Sequence, residues 1–573
     1  MEIKIGQILI KFLKMKIKLN STSFLLPNNE NWKLIKKNND LIFSDYGNIN
    51  NIANVKDKID FEITLFFLPD LFDYFQPDKL NYKEELKKIS NIIKLLKQKL
   101  NLKNKKFIIG VSEYLFNNVI NSSKKYNFSK KVKNFFLDEL YKLTKQYNNL
   151  YIIDLDIIFS EHGYKNCLDQ RNYYIFRCRL SAFGIEMISR NLKDIMDRIS
   201  YTNKKVLLVD CDNTIWGGVL AEDGIENIQI GQDGIGAAFS DFQKTIIKIK
   251  NSGILIILVS KNDKSDVENV LKNHQSMILR KQDIAAMKIN WNEKSNNIRQ
   301  LSKDLSLGLN SFVFWDDNPI EREKVRAQLK EVEVIEPDTD VTGWPKQLLE
   351  FKGFSKFIVT KEDGSKTKQY KIREKFIEDK YSFKDEINYL KSIKIKPTIT
   401  KVDKSTINRT VQMCQKTNQF NLRTKIYNTS DVLKLNDKNI CFLVGLKDIY
   451  GDHGIVSFIS LKIVNNKFIF IDTFLMSCRI LGRHLESWIL NEIKKIAVKN
   501  KIKLILAEYI PTKRNIVAKN FIIKNNFKKI SKKELYTYAD FFKKIGNEKN
   551  NSEFYNLSTK EIIPNLEIYE KKR

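Results

Sequence analysis

The chain has little of what builds metal clusters or disulfide frameworks. Its 573 residues include six cysteines, none of them in a C-x-x-C pair, and only four histidines. Zinc sites take closely spaced cysteine and histidine ligands, and disulfide scaffolds take paired cysteines in a short chain. Neither kind of protein is therefore expected.

Long apolar runs are also missing. A membrane-spanning helix needs about 18 or more consecutive apolar residues, and no stretch of the sequence approaches that length. The N-terminal stretch MEIKIGQILIKFLKMKIKLN is apolar in part, but five lysines interrupt it. Because a secretory signal has an unbroken apolar centre, we expect a cytoplasmic protein without a membrane contact.

Negative charge is in the minority. The 99 Lys and Arg residues outnumber the 68 Asp and Glu residues and give a net charge of +31. Such an excess is typical of proteins that bind nucleic acid, but here the lysines are scattered among Ile and Asn and form no basic stripe with interleaved aromatic residues. The pattern argues against nucleic acid and is typical of a compositional bias towards lysine. A positive field would still attract phosphorylated substrates and acidic carrier proteins.

Apolar runs that resemble buried strands occur at 61–68, 106–111 and 150–153, and they alternate with lysine-rich helical stretches such as 82–100. This alternation predicts an α/β layer with a parallel sheet in residues 1–200.

The sequence KVLLVDCDNT at 205–214 holds the strongest chemical signal. Asp210 and Asp212 follow a short apolar run, and alternation past a strand end places both carboxylates on one side. One of them could attack phosphorus and bind a metal while the other moves a proton. Thr214 completes the motif and is assigned to substrate binding. The pattern indicates phosphoryl chemistry.

Further polar residues follow in the order that such a site needs. Ser260 ends the apolar run GILIILVSKN and offers a hydroxyl donor, and Lys294 opens an amphipathic helical pattern and offers a positive charge for phosphate. Asp316 and Asp317 end another apolar run and supply oxygen ligands for Mg²⁺. We expect Asp316 to bind the ion opposite Asp210, and Asp317 to lie behind Asp316 and support it.

These residues give the chain a resemblance to the haloacid dehalogenase (HAD) superfamily of phosphotransferases and, within it, to the FkbH-like family. The closer match is carried by VDCDNTIWGGVLAEDG (209–224), FVFWDDNPIERE (312–323), KTNQFNLRT (416–424) and GDHGIVS (451–457). It spans about the last two thirds of the chain.

The resemblance implies a nucleophile at Asp210, an acid/base at Asp212, phosphoryl contacts from Ser260 and Lys294, and Mg²⁺ bound in part by the backbone of Asp212. FkbH-like proteins are similar to enzymes that take a glycolytic bisphosphoglycerate, remove phosphate and load a glyceryl group onto an acyl carrier protein.

Cys211 allows two interpretations. FkbH-like proteins are thought to carry the acyl group on a cysteine, which makes this thiol a candidate catalytic nucleophile. Against that, the alternation that joins Asp210 to Asp212 turns residue 211 the other way, and two carboxylates raise the pKa of a thiol. The alternative is a small buried residue.

Both ends of the chain resemble other folds. FSDYGNIN at 43–50 is similar to the SGNH hydrolase domain that FkbH-like proteins often carry, although Ser44 and His162 form no convincing catalytic set. At the other end, Arg479, Gly482 and His484 fit the pyrophosphate-binding turn of GNAT acetyltransferases, except that His484 stands where that family has Gly or Ala.

The C-terminal turn has two interpretations. Arg479, Gly482 and Arg483 could hold the phosphate of a phosphopantetheine arm, since the free N–H groups of a helix N-terminus suit a phosphate, or the arginines only cap a structural helix. Asn418 lies in a polar stretch at 417–421 that either lines a substrate groove or forms a turn.

The sequence thus predicts an α/β chain of three domains and a connector: an SGNH-like domain at 1–200, a HAD-like core with a Rossmannoid parallel sheet at 203–345, a helical connector at 346–400 and a GNAT-like domain at 401–573. The expected function is Mg²⁺-dependent dephosphorylation of a three-carbon acid with glyceryl loading onto a carrier protein. The alternatives are a plain phosphatase acting on a sugar phosphate or nucleotide sugar, and a non-catalytic pathway scaffold.

Overall fold

The structure is a computed structural model. The residues that it describes are 14–44, 59–71, 81–101, 105–113, 128–357, 361–383, 385–417, 419–512, 514–531, 534, 538, 541 and 552–569. The chain divides into two compact units, one of residues 1–202 with 355–358 and one of residues 203–354 with 359–573. The finer division at 345 and 400 stays a prediction.

The first unit is built on a parallel sheet of five strands. In chain order the strands are β1 (Met15–Ser21), β2 (Asn39–Phe43), β3 (Phe61–Phe67), β4 (Lys106–Ser112) and β5 (Leu150–Asp154). They are arranged in the order β2-β1-β3-β4-β5, and every neighbouring pair is parallel. All seven residues of β3 are buried, as expected for a strand that is covered on both faces of a parallel sheet.

Helices cover both faces of this sheet. They are α1 (Lys33–Lys36), α2 (Leu68–Leu71), α3 (Tyr82–Leu100), α4 (Phe128–Thr144), α5 (Leu155–His162), α6 (Tyr164–Cys167), α7 (Gln170–Phe176) and α8 (Ala182–Ser200). Two separate apolar cores result, one around Trp32 and Ile188 and the other around Phe66 and Phe136. The predicted α/β layer with a parallel sheet is confirmed.

The second unit begins with another parallel sheet. Its strands are β6 (Val206–Val209), β7 (Leu255–Ser260), β8 (Ala286–Ile289), β9 (Phe312–Trp315) and β10 (Glu333–Val334). The order β10-β9-β6-β7-β8 places the first strand at the centre, and every pair is parallel. Ligands bind at the carboxyl ends of such sheets, where the strand order reverses, which here is beside β6.

Helices and their loops connect these strands. They are α9 (Leu220–Asp223), α10 (Gly234–Asn251), α11 (Lys264–Asn273), α12 (Lys294–Leu305), α13 (Pro319–Gln328) and α14 (Trp344–Glu350). Only the four-residue α9 lies between β6 and α10, so no large cap domain follows the acidic motif.

A long helix, α15 (Lys361–Ser382), and α16 (Glu386–Ser392) lead into a third sheet. Its strands are β11 (Lys396–Thr400), β12 (Phe420–Asn421), β13 (Ile440–Asp448), β14 (Gly451–Val464), β15 (Phe468–Met476), β16 (Leu504–Tyr509), β17 (Lys528–Lys529) and β18 (Glu553–Ser558). The helices of this part are α17 (Ile407–Lys416), α18 (Thr429–Lys438), α19 (Leu485–Lys499) and α20 (Ile516–Lys524).

The third sheet is antiparallel except for one pair. β15 and β16 run parallel but are paired only over Ile469–Ile471 and Ile505–Ala507. Beyond that point β12 pairs with the end of β15, and Leu422 donates its N–H to Phe474 and accepts from Ile510. The chain itself therefore occupies the place where the two strands separate.

In the described part of the chain, no helix is both long enough and apolar enough to cross a membrane.

Candidate active site

The two acidic turns of the second unit lie side by side. Asp210 follows β6 and Asp316 follows β9, and these strands are neighbours in the sheet. The N–H of Asp210 donates to the carbonyl of Trp315 at 3.1 Å. Thr214 links the turns a second time, because its hydroxyl donates to Asp317 Oδ1 at 3.0 Å. The last residue of the sequence motif thus holds the second turn in place.

Three carboxylates meet at this point. Oxygens of Asp210, Asp316 and Asp317 all lie within 4.8 Å of one another. Asp316 is fully buried and Asp210 is 6% exposed. An array of hard oxygen ligands at this separation suits a divalent cation such as Mg²⁺.

Lys294 contributes the positive charge. It is the first residue of α12, and its Nζ lies 2.8 Å from Asp210 Oδ1 and 2.6 Å from Asp316 Oδ2. The ammonium group is buried between the two carboxylates, where it could reach a phosphoryl group bound to Asp210.

The pKa values show that one lysine does not balance three acids. Burial and the neighbouring Asp210 raise the pKa of Asp316 to about 7, even though Lys294 lowers it. Burial and Asp210 also raise the pKa of Asp317. Burial alone would lower the pKa of Lys294, but Asp210 and Asp316 outweigh it and raise the pKa. The cluster carries a negative charge that a divalent cation would neutralise.

Asp212 is held apart from this cluster. Its Oδ1 accepts from Trp216 Nε1 and from the N–H of Leu220, each at 3.0 Å, and its Oδ2 accepts from Asn262 at 2.8 Å. The side chain does not belong to the group of three acids, which leaves the backbone of Asp212 for a metal, as the resemblance implies. Burial raises the pKa of Asp212, although these hydrogen bonds lower it in part. A raised pKa is what an acid/base group requires.

The structure places Cys211 in the interior. The residue is fully buried and packs in the apolar core with Val209, Phe242 and Trp315. Burial and Asp210 raise the pKa of the thiol well above its ordinary value, and a hydrogen bond with Ser260 offsets this only in part. A buried, protonated thiol neither reaches an acyl group nor attacks it. This placement favours the interpretation of Cys211 as a small buried residue, and its role in acyl transfer stays a prediction.

Ser260 lies at the end of β7 and is 2% exposed. The same strand leads to Asn262, which the sequence analysis did not single out although it holds Asp212. The signal was present, because Asn262 follows Ser260 by two residues and therefore faces the same side of the extended chain.

Arg322 is the second residue that the sequence analysis missed. Its Nη1 donates to the carbonyls of Asp316 and Asp317 at 2.9 and 2.6 Å, and its Nη2 pairs with Glu336. The guanidinium therefore fixes the backbone of the acidic turn from α13. Its place in FVFWDDNPIERE was visible, but a bond from a helix back to a preceding turn has no local pattern.

The two arginines of the C-terminal turn are buried, and their role in phosphate binding stays a prediction. Arg483 is fully buried, its Nε lies 2.8 Å from Asp448 Oδ2, and its guanidinium stacks on Phe376 at 3.8 Å. The side chain is thus held in the interior and is not presented to a phosphate. Gly482 has a φ of +90°, which favours glycine and explains its place in the turn.

Arg479 is buried as well, and it donates to Gln369 and to the carbonyl of His453. His484 is the N-cap of α19 and has a φ of +55°. Asn418 lies outside the described residues, as do 45–50 of the SGNH-like stretch. The hydroxyl of Ser44 donates to Asn20, and His162 packs against Phe183, so neither contact is that of a nucleophile with its base.

The comparisons with known proteins return structures but no family. No protein-family model matches the chain, and no curated protein matches it either. Among solved structures, the chain is similar to the N-terminal part of BF1531 from Bacteroides fragilis, which contains a phosphatase domain complexed with Mg, at 28% identity and a TM-score of 0.48 over 60% of this chain and 94% of that one.

Smaller solved structures match less than a third of this chain. An N-acetyltransferase from Staphylococcus aureus Mu50 matches at 15% identity and a TM-score of 0.21 over 29% of this chain and 98% of that one. Ard1 from Thermoplasma volcanium matches at 13% identity and a TM-score of 0.21 over 28% of this chain and 97% of that one. At these TM-scores the chemistry of the site rests on its own residues.

Proposed function

We propose that residues 203–345 form a Mg²⁺-dependent phosphoryl-transfer site of the HAD type and that the protein is a phosphatase or phosphotransferase. The observation that carries this proposal is the meeting of Asp210, Asp316 and Asp317 around Lys294 at the carboxyl ends of adjacent parallel strands. Few other chemistries call for three acids and one base in that arrangement.

The residues present fit a magnesium ion. Three carboxylates and one ammonium leave a surplus of two negative charges, which Mg²⁺ neutralises, and Asp210, Asp316, Asp317 and the backbone of Asp212 would hold it. When bound, the ion supplies positive charge to the phosphoryl oxygens.

Asp210 would attack phosphorus, forming an oxygen–phosphorus bond as the bond to the leaving oxygen breaks. Asp212, whose pKa is raised by burial, would give its proton to that oxygen. It would then take a proton from the water that hydrolyses the aspartyl phosphate. Trp216 and Asn262 orient the carboxyl group for both steps, and Lys294 remains beside Asp210 to offset the negative charge.

The finer proposal is that the substrate is a phosphorylated three-carbon acid and that an acyl carrier protein receives the glyceryl group. It is supported by the FkbH-like motifs and by the net charge of +31, which attracts acidic carriers. Since Cys211 is buried, transfer would be direct: the carrier thiolate attacks the acyl carbon of an acyl phosphate, and phosphate leaves.

The burial of Cys211 also favours a second candidate, a plain phosphatase that acts on a sugar phosphate or nucleotide sugar and passes no acyl group on. The first unit would serve in either case to recognise or scaffold partners. A scaffold without catalysis would have no use for the buried acidic cluster.

Mass spectrometry of the purified protein with bisphosphoglycerate, Mg²⁺ and candidate holo carrier proteins tests these proposals. A glyceryl adduct on the carrier together with released phosphate supports loading. Phosphate release without an adduct supports the plain phosphatase. No phosphate release from bisphosphoglycerate, sugar phosphates or aryl phosphates would contradict the phosphoryl-transfer proposal.

A further inference from the structure

A cavity of about 670 Å³ lies within the second unit, away from the acidic cluster. Its lining includes Lys205, which precedes β6, and Ser311, which precedes β9, so it opens at the amino-terminal edge of the central sheet. Asp210 follows the other end of β6, about 16 Å from Lys205 at the rise of an extended strand. Ligand pockets usually enclose about 300–1,000 Å³, so the volume suits a small molecule.

The charged residues of the lining are almost all basic. Among the described residues that form the wall, a single acid, Glu331, faces five bases: Lys205, Lys366, Arg409, Arg479 and Arg514. Positive charges collected in one concave wall focus their field into the cavity and attract anions.

Three of the five bases have protein partners. Arg409 donates to Gln412 and to the carbonyl of Ile455, Lys366 pairs with Asp363 at 3.0 Å, and Arg479 is bound as described above.

Lys205 and Arg514 are different. In the part of the chain that the structure describes, neither side chain forms an ion pair or a hydrogen bond, and both line the cavity while keeping part of their surface open to solvent. Burial lowers the pKa of Lys205, and the nearby Lys366 and Arg514 lower it further. Charges that repel one another in a partly enclosed space are stabilised by an anion between them.

The rest of the wall is apolar in large part. Leu255 from β7, Met413 from α17 and Met476 from β15 line the cavity, together with the ring of Tyr370. Methionine side chains adapt to irregular carbon chains. The cavity therefore offers a cationic region and an apolar region side by side.

We propose that this cavity binds a small organic anion, whose acid group pairs with Lys205 and Arg514 and whose carbon chain packs against Met413 and Met476. A carboxylate and a phosphate ester share this chemistry. The site goes beyond the proposed phosphoryl transfer, because none of its residues belongs to the acidic cluster.

Cys478 provides a reporter inside the cavity, since it lines the wall and is half-buried. Cys441 is half-buried too but lies on β13 outside the lining, and it serves as the internal reference. The full-length protein is treated with an anionic methanethiosulfonate (sulfonatoethyl) and with a cationic one (trimethylammonioethyl), and modification of each cysteine is followed by peptide mass spectrometry.

The quantity compared is the modification rate with the anionic reagent divided by the rate with the cationic reagent. This ratio should be about tenfold higher at Cys478 than at Cys441. The double variant Lys205→Met/Arg514→Met should remove this difference, whereas Lys499→Met/Lys501→Met, which removes two exposed lysines outside the lining, should keep it. Equal reagent preferences at the two cysteines of the wild type would overturn the proposal without reference to any variant.

Protection of Cys478 from the neutral methyl methanethiosulfonate identifies the kind of acid. Hexanoate or hexyl phosphate should slow modification of the wild type about tenfold at ten times its dissociation constant, and the uncharged hexanol should not. Protection by hexanoate alone assigns a carboxylate, and protection by hexyl phosphate alone assigns a phosphate ester. Protection by neither anion, or equal protection by hexanol, would contradict the site.

Discussion

Two Asp-x-Asp turns, at 154–156 and 210–212, follow parallel strands in this protein, and their surroundings give them different roles. Asp154 ends β5 and caps α5, and both Asp154 and Asp156 pair with Lys133, at 2.8 and 2.7 Å. Asp156 also accepts from the hydroxyl of Ser112 at 2.6 Å. Hydrogen bonds and an ion pair thus satisfy this turn, as expected of a structural helix start.

The turn at 210–212 differs in its charge. Asp210 shares one lysine with a second acidic turn, and burial among these acids raises the pKa of Asp316 to about 7. Perturbed carboxylates in one place are typical of functional sites. The same local pattern therefore has a structural role in one sheet and a proposed catalytic role in the other, and what distinguishes them is the charge that neighbouring strands bring.

Replacing the first Asp of each turn by Asn should give the largest difference in the rate of phosphate release. Asp210→Asn should reduce phosphate release about 10⁴-fold or more, because an amide cannot attack phosphorus. The matched variant Asp154→Asn should keep the wild-type rate, since Asn also caps helices. Release of phosphate from an aryl phosphate at saturating Mg²⁺ measures both rates. A wild-type rate for Asp210→Asn would refute the proposed site.

The second-largest difference is expected in the Mg²⁺ dependence of activity, which should respond to changes in the acidic cluster and not to changes in the turn at 154–156. Asp316→Ala should raise the Mg²⁺ concentration for half-maximal activity by more than about 100-fold, whereas Asp317→Ala should raise it less, because Asp317 also bonds to Thr214. Asp156→Asn is the control and should leave it unchanged. Titration of activity with Mg²⁺ after chelation gives the three values, and equal effects at Asp316 and Asp317 would reverse their assigned roles.

A smaller effect is expected at Arg322, which positions the acidic turn through two carbonyls. Arg322→Lys keeps the charge but not the fork of donors, and it should weaken Mg²⁺ about tenfold with little loss of the rate at saturation. A loss confined to the saturated rate would show that Arg322 acts on the substrate instead.

The smallest effect on catalysis is expected at Cys211. Cys211→Ser should release phosphate within about threefold of the wild-type rate, but it buries a hydroxyl in an apolar core and should lower the free energy of unfolding by about 1–3 kcal/mol. Denaturant unfolding and the phosphatase assay measure the two quantities. A hydroxylamine-sensitive adduct on wild-type Cys211 after incubation with bisphosphoglycerate would restore the thioester hypothesis.

Local patterns were sufficient for much of the fold. The lysine-rich stretch at 82–100 is the helix α3, and the apolar runs before Asp210, Ser260 and Asp316 are strands of one sheet. Parallel pairing brings the carboxyl ends of neighbouring strands together, so Asp210 meets Asp316 and Asp317 once β6 and β9 are neighbours.

Long-range partners could not be predicted in the same way. Arg483 pairs with Asp448, which lies 35 residues earlier, and nothing near either residue indicates the other. The separation of β15 from β16 and its filling by β12 also depend on tertiary packing. The sequence around Gly482 leaves a phosphate ligand and a structural arginine open at Arg483, and its ion pair with Asp448 becomes visible only in the folded chain.

The insertion of 420–422 beside β15 has a consequence for evolution of the third sheet. Two parallel strands that diverge leave backbone donors and acceptors that an extended ligand could bind. Here residues 420–422 of the same chain bind these groups. Any incoming molecule would have to compete with an intramolecular segment whose effective concentration is fixed by covalent connection. The gap between β15 and β16 is therefore occupied by the chain itself. Ligand recognition by the third sheet has to use its other surfaces.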